Sequence, residues 1–257
     1  MGIYNCALYL QEALDSLYCQ TFQDFEIILC DDGSSDDTYK IALKNSKLHN
    51  NIVLLKNEKN KGLNYTLNRC LESAKGEYIA RMDGDDISLS TRFEIEVNFL
   101  EKNRQYAIVS TPMHYFDDQG IFMTGEGGKE PHKNDFVKGS PFCHAPCMVR
   151  KEAYVKVGGY TEEDRYLRVE DYHLWFKMYK EGYRGYMLPI PLYKMRDDRN
   201  AYKRRNFKTR KNEFLLKLEI CREFNLPLYS YLYCIKPLIA FLLPRNVYDL
   251  CHRQKNK

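Results

Sequence analysis

The chain has 257 residues, of which 44% are hydrophobic and 29% are charged, and this balance excludes a disordered chain and a protein with many membrane spans. The length is enough for one large domain, or for one domain with an appendage. The net charge of +4 is unevenly spread, because residues 199–211 read RNAYKRRNFKTRK without a single acid. That run indicates an anionic partner, either a membrane surface or a nucleic acid.

Nine cysteines stand singly along the chain, at positions 6, 19, 30, 70, 143, 147, 221, 234 and 251. An odd number of scattered cysteines is typical of reduced thiols and argues against a disulfide framework. The N-terminus has neither the basic region nor the apolar run of a signal peptide. We therefore expect a cytoplasmic protein.

The first half of the chain alternates helices and strands. We expect Asn5 to cap the first helix, whose apolar residues recur at helical spacing as far as Tyr18. The elements then follow in the order strand, helix, strand, helix and strand, at residues 25–30, 37–45, 52–55, 63–74 and 78–82. Continuous apolar strands separated by helices predict an α/β fold with a doubly wound, mostly parallel sheet and helices on both faces.

Two of these strands end in acids. Asp31 and Asp32 follow one strand, while Asp83, Asp85 and Asp86 follow another. Ligands lie outside the carboxyl ends of the strands in such a sheet, so we expect both groups at the same edge. Clustered carboxylates repel one another unless a cation lies between them, and their oxygens suit Mg²⁺ or Mn²⁺. We therefore predict a site for a metal and a diphosphate at Asp83 and Asp85, although this motif alone is also typical of an acidic turn that caps a helix.

The second half contains a third acidic pair. The elements expected after residue 90 are a helix at 90–102, strands at 107–110 and 147–150, a hairpin around residues 118–120 and a short helix at 152–157. Glu170 and Asp171 then open an amphipathic helix beside the only tryptophan, Trp175. The helix dipole favours an acid there by about 0.3–1 kcal/mol, which explains one acid but not two.

The C-terminal region changes character after Arg196. A basic helix is expected over Asn200–Phe224, followed by an apolar stretch at Tyr229–Leu243. A bilayer-spanning helix needs about 20 apolar residues, so this stretch is too short. It is typical either of an interfacial helix or of a terminal helix packed on the domain. We therefore divide the chain into an α/β domain at 1–198 and a basic, partly apolar helical extension at 199–257.

Three strings in this order resemble the inverting family 2 glycosyltransferases of the GT-A fold. They are MGIYNCALYLQEALDSLYCQTFQDFEIILCDDGSSDDT, NKGLNYTLNRCLESAKGEYIARMDGDD and EDYHLWFKM. The resemblance extends from Met1 to about Arg196, and it implies transfer of a sugar from a nucleotide sugar to an acceptor hydroxyl, with inversion. UDP is the donor nucleotide expected by default, because it is common in the family.

The resemblance also implies roles for single residues. Tyr4 resembles the aromatic residue that stacks on the base, and Asp32, with Asp31 beside it, resembles the acid that hydrogen-bonds the base. Asp83 matches the first acid of the DxD motif, near the ribose. Asp85 matches the acid that reaches the Mn²⁺ or Mg²⁺ ion on the diphosphate.

Asp171 matches the general base of the family's Glu-Asp motif, and Glu170 is its neighbour. A carboxylate in this role takes the proton of the acceptor hydroxyl as the new bond forms, while the metal stabilises the leaving diphosphate. Contacts with the acceptor or with phosphate are assigned to His144, Trp175 and Arg196.

The chain departs from the family pattern at two places. Relatives normally have an apolar strand, a central member of the sheet, directly before the position of Met1, so either the chain starts late or its core has a gap. Near the end of the resemblance, Tyr193-Lys194-Met195-Arg196 stands where many relatives carry Tyr-Arg-x-His. Arg196 still provides a fixed positive charge for phosphate.

Three functions remain open at this point. The first is a glycosyltransferase, peripheral on the inner face of the cell membrane, that uses a nucleotide-sugar donor and a glycan or lipid-linked acceptor and binds no nucleic acid. The second is a sugar nucleotidyltransferase, although its usual basic, Gly-rich phosphate loop is missing from the acidic early segment. The third is a catalytically silent module that binds a membrane or RNA through Arg199–Lys211, although no RNA-recognition motif accompanies that run.

Overall fold

The structure is a computed structural model, and it describes residues 1–197 and 206–242. Helices α1 to α8 lie at Leu10–Tyr18, Thr38–Leu48, Leu63–Ser73, Arg92–Lys102, Lys151–Val157, Glu170–Lys180, Phe207–Glu223 and Tyr231–Leu242. Strands β1 to β11 lie at Gly2–Ile3, Ile27–Asp31, Ile52–Lys56, Tyr78–Ala80, Ile87–Ser88, Ile108–Ser110, Met113–Asp117, Gly120–Thr124, Met148–Arg150, Gly185–Met187 and Tyr193–Arg196.

The first sheet is parallel and has the order β1-β2-β3. Its middle strand, β2, is buried along its whole length. Ile27 and Leu29 pack in one cluster with α1, whereas Ile28 and Cys30 pack in another with α3. Alternate side chains of this strand therefore meet helices on opposite faces, and the predicted α/β fold with helices on both faces is confirmed.

Two further sheets complete the fold. The second has the order β10-β6-β9-β4, and β9 runs antiparallel to both of its neighbours. The third has the order β5-β11-β7-β8, in which β7 and β8 form the hairpin predicted around residues 118–120. The pairs in the first sheet are thus parallel. Antiparallel pairs occur in the second and third sheets, which contain the strands that follow the alternating helix and strand pattern.

A cavity of about 440 Å³, which we call the interstrand cavity, separates β2 from β4. It is lined by Ile27 and Ile28 on one side and by Ile79 and Ala80 on the other. The only residues of β1 that pair with β2 are Gly2 and Ile3, opposite Cys30 and Asp31. The interstrand cavity therefore lies between β2 of the first sheet and β4 of the second, beside the start of β1.

A buried ion pair links α4 to the strand ends that carry the acids. The side chains of Arg92 and Glu96 are fully buried, with Nε of the arginine 3.1 Å from Oε2 of the glutamate. Arg92 also donates through Nη2 to the carbonyl oxygens of Arg81, at 3.0 Å, and Cys147, at 3.2 Å. One buried side chain therefore holds the segments after β4 and before β9 together.

The two C-terminal helices share a core with α6. Leu216 and Ile220 of α7 and Cys234 of α8 belong to the same buried cluster as Trp175. The predicted basic helix begins at Phe207, after an Asn206 cap, while residues 200–205 of that prediction lie outside the described residues. Across residues 1–197 and 206–242, no helix is both long and apolar enough to cross a bilayer.

Candidate active site

The loop after β2 is tied to the start of α3 by one carboxylate. Asp32 is almost fully buried and accepts hydrogen bonds from the backbone N–H groups of Lys61, at 2.8 Å, and Gly62, at 2.9 Å. The side-chain amide of Asn57 donates to the same carboxylate at 2.7 Å. A carboxylate has about four acceptor positions, so Asp32 retains one for a ligand. Gly33 closes the loop with φ +71°, where a Cβ would lie 2.6 Å from the Lys59 backbone.

The neighbouring acid, Asp31, is also buried but less completely bonded. Its Oδ2 accepts from the backbone N–H of Ser34 at 3.3 Å, whereas Oδ1 has no partner among the described residues. A buried acceptor without a donor is costly, and a ligand that donates a hydrogen bond relieves that cost. The loop therefore keeps one buried acceptor, Oδ1 of Asp31, without a donor among the described residues.

Asn5 does not cap a helix, contrary to the expectation from the sequence. The helix begins at Leu10, and Asn5 instead takes a left-handed conformation with φ 47°. Its backbone N–H donates to Ser34 Oγ at 3.1 Å, and its Oδ1 accepts from the Ser35 N–H at 2.9 Å. Asn5 thus joins the turn after β1 to the turn after β2, and this leaves Tyr4 about half exposed beside both.

The acidic turn after β4 packs directly on the turn after β1. At Gly84 a Cβ would lie only 2.8 Å from Cys6 Sγ, so any larger residue would push the two turns apart. Asp83 forms an ion pair with Arg81, and its backbone N–H donates to Tyr193 Oη at 3.2 Å. The two acidic groups predicted to meet at one edge of the sheet are therefore brought together around these turns.

Arg81 is the functional residue that the sequence reasoning missed. Its guanidinium is buried and pairs with Asp83, and its charge opposes the rise in the pKa of Asp171 that burial causes. The chain itself thus supplies part of the positive charge that the prediction gave entirely to a metal. The available signal was a lone arginine inside the apolar run that leads into the acids.

Asp85 and Asp86 have different environments. Asp85 is exposed, and desolvation together with the charge of Asp83 raises its pKa. Asp86 is buried and accepts from the backbone N–H of Arg196 at 2.8 Å; burial and then the charges of Asp83 and Asp85 raise its pKa to about 8. Asp86 therefore positions β11, whereas Asp85 is the acid available to a ligand.

Arg196 lies beside this turn at the end of β11. Its Nε donates to the backbone oxygen of Asp85 at 3.1 Å, and its Nη2 lies 2.5 Å from Glu12 Oε2. The guanidinium also packs over the rings of Tyr9 and Phe116, with centroids 4.0 and 4.4 Å away. The cation that the sequence assigned to phosphate is thus held next to the acidic turn.

Glu170 and Asp171 occupy the first turn of α6, as predicted. Burial raises the pKa of both acids, and the charge of Asp171 raises that of Glu170 further. Asp171 accepts from Ser140 Oγ at 3.3 Å, while Oε2 of Glu170 has no partner among the described residues. A recessed carboxylate with a raised pKa is suited to proton transfer near neutral pH.

His144 and Trp175 lie behind these acids. Nε2 of His144 is 2.7 Å from Tyr160 Oη, and burial holds the pKa of the imidazole well below its usual range. Trp175 is fully buried, and its ring packs edge-on against Phe142 and His144. The tryptophan therefore supports the wall of the site and has no exposed surface for an acceptor.

No three His, Cys, Asp or Glu side chains form a metal-binding group within residues 1–197 and 206–242. Mg²⁺, however, is commonly held by one or two carboxylates together with substrate phosphates. Asp85 fits that pattern, because its carboxylate is exposed and none of the described side chains donates to it. The residues present therefore suit a cation that arrives with a diphosphate.

Comparisons with known proteins identify the family of the chain. The family model described as "Glycosyl transferase family 2" matches residues 1–158. The chain is 42% identical over 256 residues to "Putative glycosyltransferase EpsE" of Bacillus subtilis (strain 168), covering 99% of this chain and 92% of that protein. It is 33% identical to a "UDP-Gal:alpha-D-GlcNAc-diphosphoundecaprenol beta-1,3-galactosyltransferase" of Escherichia coli, covering 80% of this chain and 75% of that protein.

Solved structures share the fold at lower identity. The structure of S. aureus TarS 1-349 in complex with UDP-GlcNAc has a TM-score of 0.70 at 20% identity, covering 94% of this chain and 70% of that chain. Against a longer TarS crystal structure, the chain spans 42% of the length. The mannosyltransferase PcManGT from Pyrobaculum calidifontis, in complex with GDP-Man and Mn²⁺, has a TM-score of 0.66 at 17% identity, covering 99% of this chain and 77% of that chain.

Proposed function

The chain belongs to glycosyltransferase family 2, and on that premise we propose that it is an inverting enzyme that moves a sugar from a nucleotide diphosphate sugar to an acceptor hydroxyl. UDP is the default donor nucleotide, and the acceptor is a lipid-linked or surface glycan. The observation that carries the proposal is the buried cation Arg81, which pairs with Asp83 and whose charge opposes the rise in the pKa of Asp171. We assign the donor phosphates to the Asp83 side of this cation and the acceptor base to the Asp171 side.

The nucleoside part of the donor is assigned to the turns after β1 and β2. The exposed ring of Tyr4 offers a face on which the base stacks. Asp32 retains one acceptor position and Asp31 retains a free oxygen, so either acid accepts a hydrogen bond from the base. Asp83 is assigned to the ribose because it matches the first acid of the DxD motif, and its carboxylate is held by Arg81.

The diphosphate is assigned to Asp85 and Arg196. A bound Mn²⁺ or Mg²⁺ would supply charge stabilisation for the leaving diphosphate, and Asp85 is the residue that would hold it. Arg196 provides a second positive charge beside the same turn. In this arrangement the fixed guanidinium of Arg196 binds the phosphates directly, and Asp85 binds them through the ion.

The acceptor is assigned to the part of the site that α6 forms. An acceptor hydroxyl is a weak nucleophile, so a carboxylate within hydrogen-bond reach takes its proton as the bond to the sugar forms. Asp171 has that role in the proposal, with Ser140 holding its second oxygen and Glu170 beside it. His144 contacts the acceptor or donor as a neutral side chain, and Trp175 acts by packing behind it.

Nucleotide binding with and without metal tests the donor site. We expect one nucleotide among UDP, GDP, dTDP and CMP to bind at least about tenfold more tightly with Mn²⁺ in calorimetry, and Asp85→Ala to remove that gain. Asp24→Ala is the matched control, because Asp24 is exposed just before β2, at the opposite end of the strand from the site. A folded protein that binds none of the four nucleotides would favour a silent module instead.

We further propose that the protein is peripheral on the inner face of the membrane and that residues 199–257 form its membrane-associating region. Exposed apolar residues recur along one stripe of the C-terminal helices, at Leu228, Leu232, Ile235 and Ile239. The acid-free run at 199–211 precedes them in the chain. An apolar stripe next to cationic residues suits a bilayer surface that contains anionic lipids.

Sedimentation with anionic vesicles tests this surface. The double variant Leu232→Glu with Ile239→Glu should lower the vesicle-bound fraction at least about tenfold, because it removes apolar area and adds negative charge. Leu48→Glu, at an exposed leucine that ends α2, is the control. Equal vesicle binding by the double variant and the control would contradict the assignment.

A further inference from the structure

The side-chain amide of Asn57 connects the carboxylate of Asp32 to α3. Asn57 directly follows β3 and is only 4% exposed. Its Nδ2 donates to Asp32 Oδ1 at 2.7 Å and to Thr66 Oγ1, on α3, at 3.1 Å. Its backbone N–H donates to the carbonyl oxygen of Asp31 at 2.8 Å. Both hydrogens of the amide nitrogen are therefore used, and one of them holds an acid that we assign to the base of the donor.

The oxygen of the same amide accepts a hydrogen bond from a cation. Nη1 of Arg69, a half-buried residue of α3, donates to Asn57 Oδ1 at 2.6 Å and to the carbonyl oxygen of Lys56 at 2.8 Å. One nitrogen with two hydrogens thus bonds two acceptors at the end of β3. A hydrogen bond from a charged donor is about twice as strong as a neutral one. Arg69 therefore binds the buried amide on the side opposite to Asp32.

These contacts fix the orientation of the Asn57 amide. A reversed amide would place its NH₂ group against the guanidinium of Arg69, which has only donors, and its oxygen against the carboxylate of Asp32, which has only acceptors. Among the described residues, the other donor to Oδ1 is the thiol of Cys30, with Sγ 3.8 Å away, and a thiol is a weak donor. The amide oxygen therefore has a strong donor only while Arg69 is present.

We propose that Arg69 is a positioning residue for the nucleotide donor and that it acts through Asn57 on the carboxylate of Asp32. This role rests on the proposed function, in which Asp32 is one of the two acids assigned to the base. Without Arg69, the buried amide oxygen loses its charged donor, and the amide turns or shifts to find another. The bond from Nδ2 to Asp32 is then weakened, and the acid is no longer held in place for the base.

Calorimetry with UDP, GDP, dTDP and CMP, each with Mn²⁺, tests this role. Arg69→Met removes the donor and keeps a long side chain. We expect it to weaken the nucleotide that the wild type binds best by about tenfold. Arg69→Lys should recover most of that loss, because one ammonium group has enough hydrogens for both oxygens. Arg222→Met, at an exposed arginine in the last turn of α7, is the matched control and should bind like the wild type.

A second measurement separates positioning from support of the fold. Arg69 also bonds the backbone of Lys56, so an arginine that only stabilises the fold would act through that contact whether or not Asn57 is present. Asn57→Ala removes the amide that lies between Arg69 and Asp32. When Arg69→Met is added to Asn57→Ala, the nucleotide affinity should therefore change by less than about twofold.

The outcomes separate this role from the proposed function. Equal nucleotide affinity of Arg69→Met and Arg222→Met would overturn the role and leave the proposed function intact. A loss that is equally large in the Asn57→Ala background would also overturn it, because Arg69 would then act on the fold. If Asn57→Ala does not fold in a thermal scan, an equal loss in Arg69→Met and Arg69→Lys would overturn it instead. A folded wild type that binds none of the four nucleotides would contradict the proposed function, and the role of Arg69 with it.

Discussion

Replacing Asp171 with Asn should lower kcat by about 10²–10⁴-fold while leaving the affinity for UDP and for the donor sugar nucleotide nearly unchanged. The substitution keeps the size and polarity of the side chain but removes its ability to take a proton. The donor contacts assigned to Asp32, Asp83 and Asp85 lie on other elements, so ground-state binding of the donor does not depend on this carboxylate. Steady-state kinetics beside calorimetry of UDP give the two readouts.

The pH dependence of kcat gives a second test of Asp171 as the base. Burial raises the pKa of Asp171, although Ser140 and the backbone N–H of Tyr172 act in the opposite direction. A base must be unprotonated to accept a proton, so kcat should rise with pH through this raised pKa and then level off. The rise should disappear in Asp171→Asn. Glu181→Gln, at an exposed acid that directly follows α6, is the control and should keep the rise, whereas normal turnover by Asp171→Asn would show that the base lies elsewhere.

Much of the site could be predicted because it depends on strand ends. Acids that follow apolar strands of a doubly wound sheet are expected at one edge, and the acidic turn after β4 does pack on the turn after β1, at Gly84 and Cys6. Asp171 was predictable for a different reason, since two adjacent acids in a helical first turn exceed what the dipole explains. In both cases the signal is a pattern of neighbouring residues in the sequence, and the fold adds only how close the acidic groups lie to one another.

The sequence predictions were wrong or incomplete where a residue's contacts are distant in the sequence. Asn5 has the residue type of a helix cap, but its hydrogen bonds to Ser34 and Ser35 are formed only once two turns meet. Arg81 was overlooked because a charge inside an apolar run has no local explanation, and its partners lie on the turn ahead and on α6. The antiparallel β9 likewise depends on pairing partners about 40 and 70 residues away, as its register with β6 and β4 shows. Tertiary contacts of this kind override local preference.

The interstrand cavity leads to a prediction about stability. Extending the chain by four residues, Val-Ile-Val-Ile, in front of Met1 should raise the midpoint of thermal unfolding by about 5–10 °C. In the parallel register that pairs Gly2 with Cys30, these residues would face positions 25–28, of which 27 and 28 belong to β2. Met1 already follows that ladder, since its amino group donates to Ile28 O at 2.8 Å and its carbonyl oxygen accepts from Cys30 N at 3.0 Å.

The size of the expected stabilisation is the free energy of burying the added side chains minus the entropic cost of ordering the added residues. Four fully buried Val and Ile side chains contribute about 9 kcal/mol, and ordering four residues costs about 6, which leaves a net gain of about 3 kcal/mol. The extension Ser-Lys-Ser-Lys, of equal length, has the same strand register available but cannot fill an apolar cavity, so it should leave the midpoint unchanged or lower it. Equal midpoints for the two extensions would mean that β2 and β4 do not accept a strand between them. Since β1 leads directly into Tyr4 and Asn5, the apolar extension should also tighten nucleotide binding, and calorimetry of both variants separates a better-ordered site from a merely more stable core.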